Sequence, residues 1–190
     1  MRIVCRLGNH VATFMEGSWG VCGAMVCSWI KTLRTGVTVS AAHQIGAVGS
    51  MILAQHQVMR AADEDQGRAT LFRLYGLNLQ NRFDLYAAGN HALFTPRRLA
   101  EAALAPGFAY LSIAWWDEAK DEPAQHAIGT WSRPAQNRWQ LCDPNFYIWE
   151  FDTQAEFVGA LTSLLSGDGV PPDVESGPYP VVSGSIYYLT

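Results

Sequence analysis

Apolar and aromatic residues in the first third of the chain recur at helical spacing. One set follows the i, i+3, i+4, i+7, i+8, i+11 pattern of a single buried helix face: Cys22, Met25, Val26, Trp29, Ile30 and Leu33. The pattern predicts a helix from Cys22 to about Arg34. A second helical segment is predicted over residues 38–62, beginning at Ser40. The acidic residues 63–65 are predicted to open a third helix, because carboxylates stabilise a helix N-terminus.

The rest of the chain combines two further helix starts with short apolar runs typical of strands. Thr95-Pro96 predicts a helix with a threonine cap, and Thr153 with Glu156 predicts a capping box. Residues 76–94 show no clear pattern. Strands are expected at residues 2–7, 108–116, 125–132, 138–142, 146–151 and 185–189. We therefore expect an α+β fold, with N-terminal helices packed on an antiparallel sheet, in a single domain over residues 1–190.

Composition and charge exclude several classes of protein. Hydrophobic residues make up 49% of the 190 residues and charged residues 16%, which is typical of a globular chain. The net charge of -4 and the lack of any basic run argue against a nucleic-acid partner or an anionic membrane surface. The N-terminal apolar run is too short for a cleaved signal peptide, and no window approaches the roughly 18 apolar residues of a membrane span. Secretion without a cleaved signal stays open.

The four cysteines are widely spaced and form neither a C-x-x-C pair nor another zinc-binding pattern. A disulfide framework is not expected in a chain of this size, so the thiols are expected to be made in a reducing compartment. The histidines likewise lack metal-ligand spacing, and we expect neither a metal nor a cofactor. His43 and His56 fall on the second helical segment as surface or core residues, while His10 and His91 fall in segments without an assignment.

Cys22 is the candidate nucleophile. The turn-forming residues before it, with Ser18 as a possible cap, place Cys22 in the first turn of a buried helix. Backbone N–H groups and the positive end of the helix dipole at that position favour the thiolate. The alternative is a small buried core cysteine with no chemical role.

A histidine and a carboxylate complete a catalytic set with that thiol. His126 lies on a predicted strand, and Asp143 ends the next one, so the hairpin between them can bring the two together. The carboxylate is expected to accept the Nδ1–H of His126 and favour the imidazolium. Nucleophilic cysteine catalysis needs these three groups: a thiolate, a histidine that carries its proton, and a residue that orients the ring.

The motifs around these residues resemble those of the YopT/AvrPphB-type cysteine proteases, a papain-like family that bacterial pathogens inject into host cells. The matching motifs are Gly20-Val21-Cys22 with Met25 and Trp29-Ile30, then His126-Ala127-Ile128, Asp143-Pro144-Asn145-Phe146, Trp149-Glu150-Phe151, Glu156-Phe157 and Leu164-Leu165. The resemblance spans about residues 17–165. It implies a papain-like fold, a cysteine endopeptidase activity with a Cys22-His126-Asp143 triad, and a virulence role. It also implies a host protein as substrate, such as a small GTPase or a kinase, and delivery into the host or target cell cytoplasm.

The sequence departs from the family pattern at two places. Tyr147-Ile148 occupies the position after Asp-Pro-Asn-Phe where the family usually has a glycine. Papain-like enzymes also place an amide side chain shortly before the cysteine to help bind the oxyanion. Here Glu16 and Ser18 are the nearby polar residues, with the backbone N–H of Cys22 as the second donor.

Three other functions stay open at this point. A papain-like amidase could cleave cell-wall peptides, and a deamidase or transglutaminase effector would use the same triad on a protein glutamine. A non-catalytic binding module could keep the fold, although retention of all three triad residues argues against it. The absence of a cell-wall-binding repeat argues weakly against the peptidoglycan amidase.

Overall fold

The computed structural model describes residues 1–7, 21–59, 61, 63–85, 95–118, 120–168 and 179–190. The α-helices of this part of the chain are α1 (Cys22–Arg34), α2 (Val48–Met59), α3 (Glu64–Leu74), α4 (Pro96–Ala102) and α5 (Gln154–Ser166). The strands are β1 (Arg2–Arg6), β2 (Leu79–Leu85), β3 (Gly107–Asp117), β4 (Glu122–Arg133), β5 (Arg138–Cys142), β6 (Tyr147–Phe151) and β7 (Ser183–Leu189). Short 3-10 helices occur at Ala42–Ile45 and Pro134–Gln136.

The strands form one antiparallel sheet in the order β1-β6-β5-β4-β3-β7-β2. Each strand that the sequence predicts is present, and β3, β4 and β7 are longer than predicted. β2 falls in the segment for which the sequence showed no pattern. It is an edge strand whose side chains are mostly exposed, so an apolar alternation was not required there.

Helices cover both faces of the sheet. On β3, Tyr110 belongs to the apolar cluster that includes α1 to α3, whereas Leu111 belongs to the cluster that includes α4 and α5. This alternation follows from the period of two along a strand. The α+β class and the packing of the N-terminal helices on an antiparallel sheet are therefore confirmed. The second helical layer on the opposite face was not predicted.

The prediction of one helical segment over residues 38–62 is wrong. The chain forms a 3-10 turn at Ala42–Ile45, breaks at Gly46, and only then begins α2. Gly46 has a φ of 123°, a conformation that other residues rarely adopt and that interrupts a helix. Val21 holds the N-cap position of α1 and makes no side-chain capping bond, and Ser18, the expected cap, lies outside the described residues. The caps at Thr95 and Thr153 are confirmed.

α1 is buried almost all round and lies close against β4. A Cβ added at Gly129 of β4 would lie 2.8 Å from Cζ3 of Trp29 and 3.0 Å from Cγ1 of Val26. Only glycine therefore lets the helix approach the sheet this closely. This approach brings the N-terminus of α1 to the middle strands of the sheet.

Candidate active site

Cys22 is the first residue of α1, as the sequence predicts. Its side chain is partly buried, while the residues that follow it from Gly23 to Ile30 are buried. The sulfur is hydrogen-bonded to the His126 ring and accepts hydrogen bonds from the backbone N–H groups of Ala127 and Gly23. A thiolate at this position is stabilised both by these donors and by the helix dipole.

The unequal lengths of β4 and β5 explain why His126 can reach the cysteine. β5 pairs with β4 only from Arg133 to Gly129, so the preceding residues of β4 have β3 as their one neighbouring strand in the described sheet. This leaves one side of His126 and Ala127 open. The N-terminus of α1 occupies that side, and the Ala127 N–H binds the sulfur.

Asp143 directly follows the last residue of β5 and begins a tight turn. The turn is closed by a hydrogen bond from the Phe146 N–H to the Asp143 carbonyl at 3.0 Å. The Asn145 N–H donates to Asp143 Oδ1 at 2.9 Å, which makes an Asx turn that fixes the carboxylate. The Asp-Pro-Asn sequence thus sets the direction of a fully buried side chain.

The three side chains form a connected line. His126 Nε2 lies 2.8 Å from Asp143 Oδ1, and both side chains are buried. The expectation that Asp143 would accept from Nδ1 is therefore wrong. Since the carboxylate binds Nε2, Nδ1 is the ring nitrogen left for the hydrogen bond with Cys22. The structure thus brings together the three residues that sequence reasoning selected.

The hydrogen bonds and charges along Cys22, His126 and Asp143 shift the pKa of both the thiol and the imidazole. Burial alone would raise the pKa of Cys22, but the charge of His126 and the hydrogen bonds to the sulfur outweigh burial and lower it. Burial alone would lower the pKa of His126, but the charges and hydrogen bonds of Asp143 and Cys22 outweigh burial and raise it. Both shifts favour a thiolate–imidazolium pair.

The other three cysteines lack this environment. Cys5, Cys27 and Cys142 are free and buried, and burial raises the pKa of each thiol. A raised pKa leaves little thiolate near neutral pH. Cys22 is therefore the cysteine whose surroundings favour nucleophilic chemistry.

Tyr179 is a site residue that sequence reasoning missed. Its ring centroid lies 5.0 Å from that of His126, and its hydroxyl accepts a hydrogen bond from the Asn145 side chain at 3.0 Å. The same hydroxyl lies 3.5 Å from Asp143 Oδ1. Tyr179 therefore shields the histidine–carboxylate pair from water. No sequence signal marks it, since it is a single tyrosine remote in sequence from the triad.

A cavity of about 90 Å³ opens beside Cys22 between the helices and the sheet. Its walls come from α1, α2, α3, β3 and β4, and they include Gln55, Arg68 and Tyr110. Gln55 falls at helical spacing from Ile52 and Met59 within the second helical segment that the sequence predicts. A polar residue in that apolar series was the available signal.

Several predicted residues stay outside this geometry. Glu16 and Ser18, the expected oxyanion side chains, lie outside the described residues, as do His10 and His91. His43 lies in the 3-10 turn before α2, and His56 lies on α2. Within the described ranges, no group of three or more metal-ligating side chains occurs, and no helix is long and apolar enough to cross a bilayer.

Comparisons with known proteins bear on the fold of this chain. No family model matches the sequence, and no curated protein matches it either. Among solved structures, the chain is similar to Pseudomonas avirulence protein AvrPphB, with a TM-score of 0.61 and 18% sequence identity over 90% of this chain and 91% of that chain. The similarity supports, at the level of fold, the resemblance that the sequence motifs indicate. At this identity the conclusion is that the chain shares its fold with AvrPphB.

Proposed function

We propose that this protein is a papain-like cysteine endopeptidase that acts on a protein of a host cell. Cys22 is the nucleophile, His126 the general acid and base, and Asp143 the residue that orients and charges the histidine. The observation that carries the proposal is the buried line from Cys22 through His126 to Asp143 at the N-terminus of α1. The fold similarity to an avirulence protein supports the same reading.

The first half of the reaction follows from the protonation states. The Cys22 thiolate attacks the carbonyl carbon of the scissile peptide bond, and the carbonyl oxygen becomes an oxyanion. The His126 imidazolium then gives its proton to the leaving amine, and the C–N bond breaks. This step leaves an acyl group on sulfur and a neutral His126, whose position Asp143 holds by the Nε2 hydrogen bond.

The second half releases the acyl group. Neutral His126 accepts a proton from a water molecule, and the oxygen of that water attacks the thioester carbon. The C–S bond breaks, the product leaves as a carboxylic acid, and the thiolate–imidazolium pair is restored. The backbone N–H of Cys22 is one proposed oxyanion donor, and the Ser18 hydroxyl is the proposed second; Glu16, the other nearby polar residue, can donate only in its protonated form.

The substrate and location follow from the family resemblance. We propose a host small GTPase or kinase as substrate and delivery into the host cytoplasm without a cleaved signal peptide. Residues 1–190 would then form a single catalytic domain.

The test compares cells that express the wild type, Cys22→Ala or the matched control Cys5→Ala. Cys5 is a buried thiol on β1 with a raised pKa and no proposed role. New protein N-termini and new glutamine deamidation sites are mapped by mass spectrometry in each culture. We expect new N-termini with the wild type and Cys5→Ala, and none with Cys22→Ala.

Two outcomes contradict the proposal. New N-termini that persist in Cys22→Ala would show that Cys22 is not the nucleophile. Deamidation that depends on Cys22, without new N-termini, would show that the site hydrolyses a side-chain amide rather than a peptide bond.

A further inference from the structure

The hydrogen bonds to the Asp143 carboxylate converge on one of its two oxygens. Oδ1 accepts from His126 Nε2 at 2.8 Å and from the Asn145 backbone N–H at 2.9 Å. Oδ2 is buried and has no hydrogen-bond partner among the described residues. The angle at which the carboxylate meets the His126 ring therefore depends on the groups that contact Oδ1.

The hydroxyl of Tyr179 is a further group at Oδ1. It accepts a hydrogen bond from Asn145 Nδ2 at 3.0 Å. A hydroxyl that accepts one hydrogen bond still has its own proton to donate, and Asp143 Oδ1 lies 3.5 Å away. Asn145 thus acts on the carboxylate in two ways, directly through its backbone N–H and indirectly through its side chain and Tyr179.

The ring of Tyr179 is held by packing, whereas its hydroxyl depends on Asn145. The ring centroid lies 4.8 Å from that of Trp115 and 5.0 Å from that of His126. The Tyr179 backbone N–H donates to the Leu164 carbonyl at 3.0 Å. Tyr179 is buried, whereas Asn145 is exposed. An exposed side chain therefore holds the polar end of a buried ring that packs on the catalytic histidine.

We propose that Asn145 is a positioning residue of the active site: its side chain holds the Tyr179 hydroxyl at Asp143 Oδ1 and thereby keeps the Tyr179 ring against His126. The inference rests on the proposed cysteine endopeptidase function. Without this contact, the hydroxyl end of the ring can move, and water can reach the His126–Asp143 pair. Water weakens the attraction between charges that burial otherwise strengthens, so the thiolate–imidazolium pair becomes less stable.

The direction of the pH effect follows from the titratable groups around this network. They are Cys22 on α1, His126 on β4, Cys142 and Asp143 at the end of β5, and Tyr179 before β7. Burial raises the pKa of Cys142 and of Tyr179, so both side chains are neutral near and below neutral pH. A weaker attraction between the charged groups lowers the pKa of His126 and raises the pKa of Cys22 toward their ordinary values. The thiolate then forms at a higher pH.

The experiment measures the rate at which iodoacetamide labels Cys22 in the full chain from pH 4 to pH 9. The variants are Asn145→Ala, Tyr179→Phe and the double variant. Asn145→Ala keeps the backbone N–H that binds Asp143, and Asn145 has no positive φ that alanine would strain. Gln57→Ala is the matched control, because Gln57 is an exposed amide on α2. Thermal melts verify that each variant is folded.

The double variant tests whether the Asn145 side chain acts through Tyr179. We expect each single variant to move the profile up by about half a pH unit, which slows labelling at pH 6 about threefold. Since Tyr179→Phe already removes the hydroxyl that Asn145 holds, the double variant should be no slower than either single variant. Independent effects would multiply to about ninefold. Gln57→Ala should match the wild type.

The outcomes separate this inference from the proposed function. An unchanged profile in Asn145→Ala, or a double variant slower than both single variants, would overturn the positioning role while leaving the nucleophile intact. If iodoacetamide labels Cys22 of the wild type no faster than the three buried cysteines, the proposed function fails, and the positioning role fails with it.

Discussion

Replacing Asp143 by asparagine tests how much of the Cys22 reactivity depends on the buried carboxylate. The substitution keeps an oxygen that can accept the Nε2–H of His126, but it removes the negative charge 2.8 Å from the ring. A hydrogen bond to a charged group contributes about 1.5–3 kcal/mol, and a nearby opposite charge shifts a pKa by roughly one to three units. The imidazolium, and through it the thiolate, should therefore be less stable in the variant.

The direction of the pH effect follows from the two pKa shifts. The pKa of Cys22 is lowered because His126 is charged, and the pKa of His126 is raised because Asp143 is charged. Without the carboxylate charge, the His126 pKa falls and the Cys22 pKa returns toward its ordinary value. The alkylation rate, which increases with pH as Cys22 ionises, then begins to increase at a higher pH. A shift of one unit, about 1.4 kcal/mol, slows labelling at pH 6 by as much as about tenfold.

The assay is the rate of iodoacetamide labelling of Cys22, measured by mass spectrometry from pH 4 to pH 9. Asp143→Asn is compared with the wild type, with His126→Ala and with the exposed control Asp121→Asn. We expect Asp143→Asn to fall between the wild type and His126→Ala, and Asp121→Asn to match the wild type. An unchanged profile in Asp143→Asn would refute the role of the carboxylate charge. A profile identical to that of His126→Ala would refute the claim that an amide still orients the ring.

Further substitutions test the neighbouring packing. Tyr179→Phe keeps the ring over His126 and should slow Cys22 labelling at pH 6 less than Tyr179→Ala does, because the ring excludes water; equal rates would contradict a shielding role. Gly129→Ala should lower stability by about 1–3 kcal/mol through overpacking against Trp29, which calorimetry would detect as a lower melting temperature. Thr153→Ala should cost about 1 kcal/mol through loss of the α5 cap, and denaturant unfolding with no loss of stability would argue against that cap.

Local chemistry made much of this protein predictable from its sequence. The threonine caps at Thr95 and Thr153 and the apolar period of α1 depend on residues close in sequence, so a linear pattern records them. The turn at Asp143 is local in the same way, since Asn145 binds its carboxylate two residues away. The position of Cys22 at a helix start was therefore predictable. The break at Gly46 was not, because a single residue with a positive φ can interrupt a helix without changing the apolar pattern around it.

The tertiary structure alone decided how these local pieces combine. The closeness of His126 and Asp143 depends on the register of β4 against β5, and register is a property of paired strands rather than of either sequence. Tyr179 reaches the site from the segment just before β7, and Gln55 reaches it from α2. Both are too far in sequence from the triad for a short motif to include them. Their contributions come from burial and from contacts between remote segments, because desolvation and shielding exist only once the core has closed around them.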